Sequence, residues 1–277
     1  MPEFLRKEHL FVNLFSQFTC DPENQEMISP DLIGSLGIPP EDIYASVENI
    51  CAISTTASRL GKRDFALLPF CHTVEAKAMG ADIRPADETA GPRAGAYTLS
   101  GPGALPLIDI SLAPDASNLI KACSVLKGEG RRVVYQISGP LSILSCLMPL
   151  SALFKCWRKD PETVAASLER LRAALSRFTG TLCDAGIEYL SYSDPAGSAN
   201  ILGPKYSKLL TDQFTLPFLK QVLEICGARC SVLICPMTAA ALSAGEHIAA
   251  VSPGGGDLAV RCVKRGGCAK LKNFKLC

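Results

Sequence analysis

The sequence lacks several patterns that would assign a protein to a familiar class. No segment offers the eighteen or so uninterrupted apolar residues that a membrane-spanning helix requires. Lysine plus arginine number 28 and aspartate plus glutamate 27, so a net charge of +1 gives no electrostatic case for binding nucleic acid or an anionic membrane. The first residues carry mixed charges and no apolar core of signal-peptide length. These absences predict a soluble, cytoplasmic protein.

Two nucleotide-binding motifs are also missing. No Gly-x-Gly-x-x-Gly segment follows a predicted strand, and no Gly-Lys-Ser/Thr segment of the Walker type occurs. The sequence therefore gives little support to an open α/β sheet of the kind that usually binds nucleotides.

Cysteine is abundant, but its distribution does not indicate a disulfide scaffold. The 13 cysteines are odd in number and scattered from Cys20 to Cys277. Several lie in apolar runs, where a reduced thiol behaves as a small hydrophobe: Cys51, Cys123, Cys146, Cys183 and Cys226. This distribution favours a reducing cytosol.

Strands and helices alternate along most of the chain. The clearest helix starts at Asp160-Pro-Glu, an N-cap followed by proline at the first helical position. Its apolar residues then fall on one face at spacings of four and three: Val164, Leu168, Leu171, Leu175, Phe178 and Leu182. A second helical region, 205–226, contains Pro217, which predicts a kink or a break. The alternation predicts a parallel sheet covered by helices.

We expect this α/β chain to form a compact (β/α)₈ TIM barrel. Residues 1–277 are predicted to be a single domain, in which residues 1–64 are a helical extension and residues 65–277 form the barrel. That length is close to the lower limit for eight β/α units, so one or two C-terminal units have room only in reduced form.

The segment Tyr189 to Tyr206 is the best candidate for a functional site. A buried strand runs directly into a loop of small and polar residues, and in β/α proteins this end of the sheet is where ligands bind. Asp194 is the predicted catalytic residue, although an Asp-Pro acid is also a common starter of turns. We expect its loop to be exposed enough to tolerate truncation. Three further side chains are predicted to bind substrate, or else simply to bind backbone: Ser193, Ser198 and Asn200.

A second group of candidates follows two other predicted strands. His72 comes after Pro69-Phe-Cys and is a candidate for contact with substrate or metal. Glu75, a candidate catalytic acid, shares a helix face with His72 if the helix starts early enough, and would orient the imidazole, bind zinc or interact with the helix N-terminus. Gln136 lies in the strand before Ser138-Gly-Pro and is predicted to bind substrate from inside the barrel or from its mouth.

Three segments together resemble the uroporphyrinogen decarboxylase superfamily, and specifically its corrinoid-linked methyltransferase branch. The segments are Leu68-Pro-Phe-Cys-His-Thr-Val-Glu-Ala-Lys-Ala-Met-Gly-Ala81, Ser193-Asp-Pro-Ala-Gly-Ser-Ala-Asn-Ile-Leu-Gly-Pro-Lys with Phe214 to Lys220, and Ser231-Val-Leu-Ile-Cys-Pro. Their order and spacing agree with that branch over roughly residues 1–240. The resemblance implies a (β/α)₈ barrel whose reaction takes place at its C-terminal mouth.

The resemblance also implies a zinc site, in which a His-x-Cys pair and a later cysteine leave one position open for a substrate thiolate. Here Leu233 stands where the pattern has histidine, whereas Cys235 is retained. Cys268, on a Gly-flanked loop, suits the later thiolate. The third ligand stays open, with His72 the first choice and Cys71, Cys230 and Cys277 as alternatives.

The leading functional hypothesis is therefore an enzyme that moves a methyl group between a corrinoid, methylcobalamin or a partner corrinoid protein, and a small acceptor. The acceptor would be a thiol if zinc is bound, or tetrahydrofolate if zinc has been lost. A porphyrinogen decarboxylase is a weaker rival, because only Arg6, Arg59 and Arg63 precede Phe65 and no Arg-rich loop is present to grip several carboxylates. A barrel that binds a corrinoid, pterin or thiol partner without turnover is the second rival.

Overall fold

The computed structural model describes residues 28–87, 91–250, 256–261, 263 and 271–276. Its first elements are two helices, α1 (Pro30–Ser35) and α2 (Val47–Leu60). Each begins at a serine whose side chain accepts a hydrogen bond from a backbone N–H of the first turn, as is typical of N-caps. The described part of the predicted extension is therefore largely helical. The boundary at residue 64 and the assignment of the chain to one domain stay predictions.

Among the described residues, the main sheet has seven strands. In chain order the strands of the structure are β1 (Phe65–Leu68), β2 (Ile83–Arg84), β3 (Arg93–Ala94), β4 (Arg132–Ser138), β5 (Tyr189–Ser193), β6 (Ser231–Ile234), β7 (Ile248–Ala250), β8 (Leu258–Val260) and β9 (Leu271–Leu276). The order across the sheet is β1-β4-β5-β6-β8-β9-β7, and β2 and β3 form a separate antiparallel pair.

Helices connect the parallel strands. They are α3 (Val74–Ala78), α4 (Pro114–Gly128), α5 (Pro140–Leu147), α6 (Leu150–Lys159), α7 (Pro161–Asp184), α8 (Ala199–Leu210), α9 (Leu216–Cys226) and α10 (Pro236–Ala244). The five strands β1, β4, β5, β6 and β8 are parallel neighbours in chain order, without the reversal that marks an open doubly wound sheet. This is the strand order of a TIM barrel, and it confirms the predicted α/β class.

The described C-terminal residues depart from the parallel pattern of a full barrel. Strand β9 pairs antiparallel with both β8 and β7 in place of further parallel β/α units. Among the described residues the sheet consequently has two ends, β1 and β7, and the eight-strand closure of a full barrel is not formed. The two cysteines of the tail that sequence reasoning considered as metal ligands, Cys268 and Cys277, lie outside the described residues.

The long helix predicted from Asp160 is present as α7, and Asp160 caps it by accepting a hydrogen bond from the N–H of Thr163. Near Pro217, where a kink or a break was predicted, the chain stays helical but irregular. A π-helical turn, Thr211–Thr215, separates α8 from α9, and Pro217 lies in the first turn of α9. Helix α8 is itself interrupted at Gly203, whose φ of 69° is a left-handed conformation that favours glycine.

Aromatic packing shows which face of the sheet the helices cover. The ring of Tyr135 on β4 packs edge-on against Phe178 of α7, and that of Tyr192 on β5 packs against Phe218 of α9. Because side chains alternate along a strand, Gln136 and Ser138 point to the opposite, inner face, together with Ser191 and Ser193, their register partners on β5. The inner face near these strand ends is thus polar.

No single helix among the described residues is long and apolar enough to span a membrane. The helices α5 and α6 meet that description only as a pair, and they are bent by 111° at the break between them.

Candidate active site

The C-terminal ends of four parallel strands lie along one edge of the sheet, which we call the mouth. The register pairs Leu68 with Tyr135, Ser138 with Ser193, and Tyr192 with Ile234, so β1, β4, β5 and β6 end side by side. The residues that follow these ends include His72, Asp194 and Cys235. The register pairing thus places these residues along the same edge of the sheet.

His72 and Gln136 are brought into direct contact at the mouth. The amide nitrogen of Gln136 lies 3.0 Å from Nε2 and 3.2 Å from Nδ1 of the imidazole. The Oγ of Ser138 lies 3.4 Å from His72 Nδ1. Gln136 and Ser138 are buried on the inner face of β4, while His72 is half-buried. Two side chains predicted to bind substrate therefore form one polar group that reaches the surface through the imidazole.

Glu75 lies behind this group. It is fully buried, and its Oε1 accepts a hydrogen bond of 3.3 Å from the backbone N–H of Ser138. Its Oε2 has no hydrogen-bond partner among the described residues. Burial disfavours the charged form and raises the pKa of this carboxyl to about 7, although Ser138 opposes the shift by hydrogen bonding. Near neutral pH the group can both give and take a proton.

Tyr44, which sequence reasoning missed, holds the loop that carries His72. Its hydroxyl accepts a 2.8 Å hydrogen bond from the N–H of Phe70 and lies 3.3 Å from the sulfur of Cys71. The Cys71 sulfur also lies 3.1 Å from Oγ1 of Thr73, and burial raises the pKa of its thiol. No sequence signal near residue 44 points to β1, because the contact joins residues 26 positions apart.

Asp194 holds the N-terminus of α5. Its carboxylate accepts hydrogen bonds from the N–H of Leu141 at 3.2 Å, and from the N–H and hydroxyl of Ser142, both at 2.8 Å. Burial nevertheless raises the pKa of this carboxyl, since desolvation outweighs those hydrogen bonds. The expectation of an exposed loop was wrong, because Asp194 is only 7% exposed. An acid after a buried strand can serve a neighbouring helix instead of solvent.

Two glycines make room for this carboxylate. A Cβ atom at Gly139 would lie 2.3 Å from the Cβ of Asp194, and one at Gly197 would lie 2.4 Å from its Oδ2. Neither distance is compatible with a side chain larger than hydrogen. The segments before α5 and after β5 therefore depend on glycine to bring Asp194 against the helix.

The remaining predicted substrate-binding residues are placed differently from one another. Ser193 is buried on the inner face, and its carbonyl accepts a 2.9 Å hydrogen bond from the N–H of Gly139. Ser198 is buried at the N-cap of α8 and lines, with Asp194 and Thr215, a small crevice on the helix side of β5. Asn200 is exposed in the first turn of α8. The structure thus places Ser193 on the same face as Gln136, and Ser198 with Asp194.

The described residues do not assemble the zinc site that the resemblance implies. Cys235 continues the inner face of β6, where Leu233 faces the same way as its register partner Ser191. Leu233 therefore occupies the right place for a ligand but offers only an apolar side chain. Cys230 precedes β6 and lies at the opposite edge from the mouth, so it is not a ligand there. Among the described residues no three ligand atoms converge at the mouth, so any zinc bound to Cys235 would need a ligand from outside them, such as Cys268 or Cys277.

The fold and the site now define a class. The uroporphyrinogen decarboxylase (URO-D) family model matches residues 35–249, and the chain belongs to that family.

Two curated relatives and a solved structure are also similar to this chain. Two proteins named methylcobamide:CoM methyltransferase MtaA, one from Methanosarcina barkeri (strain Fusaro / DSM 804) and one from Methanosarcina barkeri, are each 20% identical over 207 residues. The match covers 71% of this chain and 61% of each relative, so the chain spans less than two thirds of their length. A methyltransferase from Methanosarcina mazei has the same fold, with a TM-score of 0.66 at 16% identity over 82% of this chain and 68% of that one. The resemblance to the methyltransferase branch is confirmed.

Proposed function

We propose that this protein transfers a methyl group between a corrinoid, carried by a partner corrinoid protein, and a small-molecule acceptor bound at the mouth. The single observation that carries the proposal is the linked group His72, Gln136, Ser138 and Glu75, in which a buried carboxyl with an unpartnered oxygen lies behind an imidazole at the surface. Family membership and the likeness to the MtaA proteins supply the reaction class.

The chemistry requires a place for one proton. The acceptor atom forms the new bond to carbon with its own electron pair, and the pair of the broken cobalt–carbon bond stays on the cobalt. A thiol or N–H acceptor must therefore release its proton when it is methylated. In the proposed arrangement His72 contacts the acceptor and takes this proton. The Ser138 hydroxyl, 3.4 Å from Nδ1 and also in contact with Glu75, gives its own proton to that carboxylate as it receives one from the imidazole, and the Glu75 pKa of about 7 suits a reversible exchange near neutral pH.

The other predicted residues take supporting roles. Gln136 fixes the plane of the imidazole by its contact at 3.0 Å, and Ser193 extends the same polar inner face. Ser198 and Asn200 are proposed to contact the part of the substrate that lies over the start of α8. Asp194, predicted from the sequence to be catalytic, is proposed to position the N-terminus of α5, because its hydrogen bonds are directed to that helix.

The identity of the acceptor depends on zinc. Zinc bound by Cys235 and Cys268, with His72 as third ligand, would hold a thiol acceptor as its thiolate, and His72 would then serve as a ligand in place of the base. Without zinc the acceptor of choice is tetrahydrofolate, as the replacement of the expected histidine by Leu233 suggests. Decarboxylation of a porphyrinogen is disfavoured, because Arg59, at the end of α2, and Arg63, just before β1, both lie at the edge opposite the mouth.

A second candidate, corrinoid or pterin binding without turnover, is favoured by one observation. Leu233 removes a ligand from the position at which the resemblance implies histidine, so the chain can have lost zinc chemistry while keeping the polar mouth. The cytoplasmic location predicted from the sequence suits either candidate and stays a prediction.

The experiment is a methyl-transfer assay on protein purified anaerobically under reducing conditions. Methylcobalamin is offered with coenzyme M or with tetrahydrofolate, and loss of its absorbance is followed together with the zinc content. We expect His72→Ala to lower kcat/KM by about 100-fold, as is usual for loss of a general acid–base group. His247→Ala is the matched control, because that imidazole pairs with Asp212 at 2.9 Å, away from the mouth. If methylcobalamin binds but transfers no methyl group to either acceptor, the proposed enzyme is wrong and binding without turnover is the better candidate.

A further inference from the structure

Three cysteines meet at the edge of the sheet opposite the mouth, which we call the base. Cys183 lies in the last turn of α7, Cys226 is the last residue of α9, and Cys230 immediately precedes β6. All three are buried, with exposed fractions of 5%, 1% and 6%. Their sulfur atoms lie within 4.8 Å of one another, and no other described residues bring three metal-ligating side chains together in this way.

The spacing of the thiols matches a metal centre. The sulfurs of Cys183 and Cys226 are 3.7 Å apart. Zinc–sulfur bonds of about 2.3 Å at tetrahedral angles put neighbouring sulfurs at about 3.8 Å. Soft thiolates select zinc, copper(I) or iron–sulfur clusters over magnesium or calcium, and zinc requires no redox partner.

A positive side chain lies beside the cluster. Zinc with three thiolates has a net charge of −1, which the negative C-terminal ends of α7 and α9 disfavour and the neighbouring guanidinium of Arg229 offsets. Arg229 forms a surface ion pair with Asp184 at 2.6 Å and donates to the carbonyl of Ile225 at 2.7 Å.

The cluster lies close to the protein surface. The side chains of Arg229 and Asp184, which lie beside Cys183, are 53% and 72% exposed. An ion can therefore approach the sulfurs by displacing one surface ion pair, which contributes little to stability.

We propose that Cys183, Cys226 and Cys230 bind a zinc ion at the base of the sheet. This site is independent of the methyl-transfer mouth and of any zinc there, because Cys235 lies at the other end of β6 from Cys230. Its role is to tie the ends of α7 and α9 to the start of β6. Zinc displaces the remaining thiol protons when it binds, and no electron transfer is involved.

The test is cobalt(II) titration of the full chain carrying Cys235→Ser, which removes the mouth thiol. We expect one equivalent of cobalt to give thiolate-to-cobalt charge-transfer absorption, and zinc to abolish it by displacement. Cys183→Ser, Cys226→Ser and Cys230→Ser, each in that background, should lower cobalt affinity by more than about 100-fold, since even residues that only orient ligands are worth about 10–100-fold. Cys123→Ser is the control, because that thiol is equally buried but lies on α4.

Thermal unfolding keeps the test decisive if one serine variant folds poorly. Zinc should raise the Tm of the Cys235→Ser protein and of the Cys123→Ser control, and should not raise that of any of the three base variants that retains native circular dichroism. Cobalt absorption that is unchanged in all three base variants would overturn the proposal. A Cys183–Cys226 disulfide found by mass spectrometry in protein kept under reducing conditions would do so as well.

Discussion

Two buried carboxyls stand at the mouth, and they are bound to the fold in opposite ways. Asp194 accepts three hydrogen bonds, all from residues 141 and 142 at the start of α5. Glu75 accepts one hydrogen bond from the backbone of Ser138 and has an oxygen without a partner among the described residues. Both carboxyls have a raised pKa because burial disfavours charge. The difference teaches that a buried acid with its oxygens satisfied supports structure, whereas one left partly unsatisfied is available for chemistry.

Removing the Asp194 carboxylate tests whether this acid stabilises the fold, and it should have the largest effect. Asp194→Ala would leave two buried N–H groups and a hydroxyl of α5 without an acceptor, so we expect the free energy of unfolding to fall by about 3 kcal/mol or more. Asp194→Asn retains one acceptor oxygen and should lose roughly half as much. Urea unfolding measures both. A fully stable Asp194→Ala protein without activity would instead assign Asp194 to catalysis.

Glu75→Gln tests the second carboxyl through the pH dependence of stability. The pKa of Glu75 is about 7 in the folded chain against 4.5 in an unfolded one, so the folded state binds the extra proton between these values. Stability from this group is present below pH 4.5 and is lost as pH rises through 7, by roughly 3 kcal/mol in full. Glu75→Gln should therefore raise Tm at pH 8 and change it little at pH 4.5.

The same variant should alter the pH dependence of methyl transfer. If Glu75 receives the proton, Glu75→Gln removes the limb of the kcat/KM profile near pH 7. Glu188→Gln is the control, since Glu188 is an exposed acid paired with Arg132. An unchanged profile in Glu75→Gln would make Glu75 a purely structural acid like Asp194.

A smaller effect is expected at Tyr44. It tests whether a hydrogen bond from the extension stabilises the loop that bears His72. Tyr44→Phe keeps the ring stacked on Phe70 but removes the hydroxyl that accepts from the Phe70 N–H, a hydrogen bond worth about 1 kcal/mol. We expect that loss of stability in urea unfolding, together with a raised KM for the acceptor. If stability falls but KM is unchanged, the loop that bears His72 does not contribute to binding of the acceptor.

The smallest effect on stability is expected at Asn200, which is exposed at the start of α8. Asn200→Ala should change the free energy of unfolding by less than about 0.5 kcal/mol, as surface substitutions usually do. If Asn200 contacts substrate, KM should rise without that change. An unaltered KM would remove it from the proposed binding residues.

The features that follow local rules were predicted from the sequence. The cap at Asp160, the period of α7 and the irregularity near Pro217 each depend on residues within a few positions of one another, and strand ends could be recognised from polar residues after apolar runs. These rules placed His72, Gln136, Ser193 and Asp194 at one edge of the sheet.

What the sequence could not reveal depends on contacts between distant segments. Asp194 is buried because α5 begins 50 or so residues earlier and presents its N–H groups to it. Cys183 and Cys226 looked like small hydrophobes in apolar runs, and Cys230 was considered only as a ligand at the mouth. Only the packing of α7 against α9 brings the three sulfurs together. Residue type alone does not distinguish a core thiol from a ligand.

Tyr44 couples the extension to two segments that follow it in the chain. Its hydroxyl accepts from the N–H of Phe70, and the Asn118 side chain of α4 donates to the carbonyls of Tyr44 and Ala45. The segment around Tyr44 docks fully only when the loop bearing His72 and α4 are both in place, so we expect these three parts to open together when the protein is denatured.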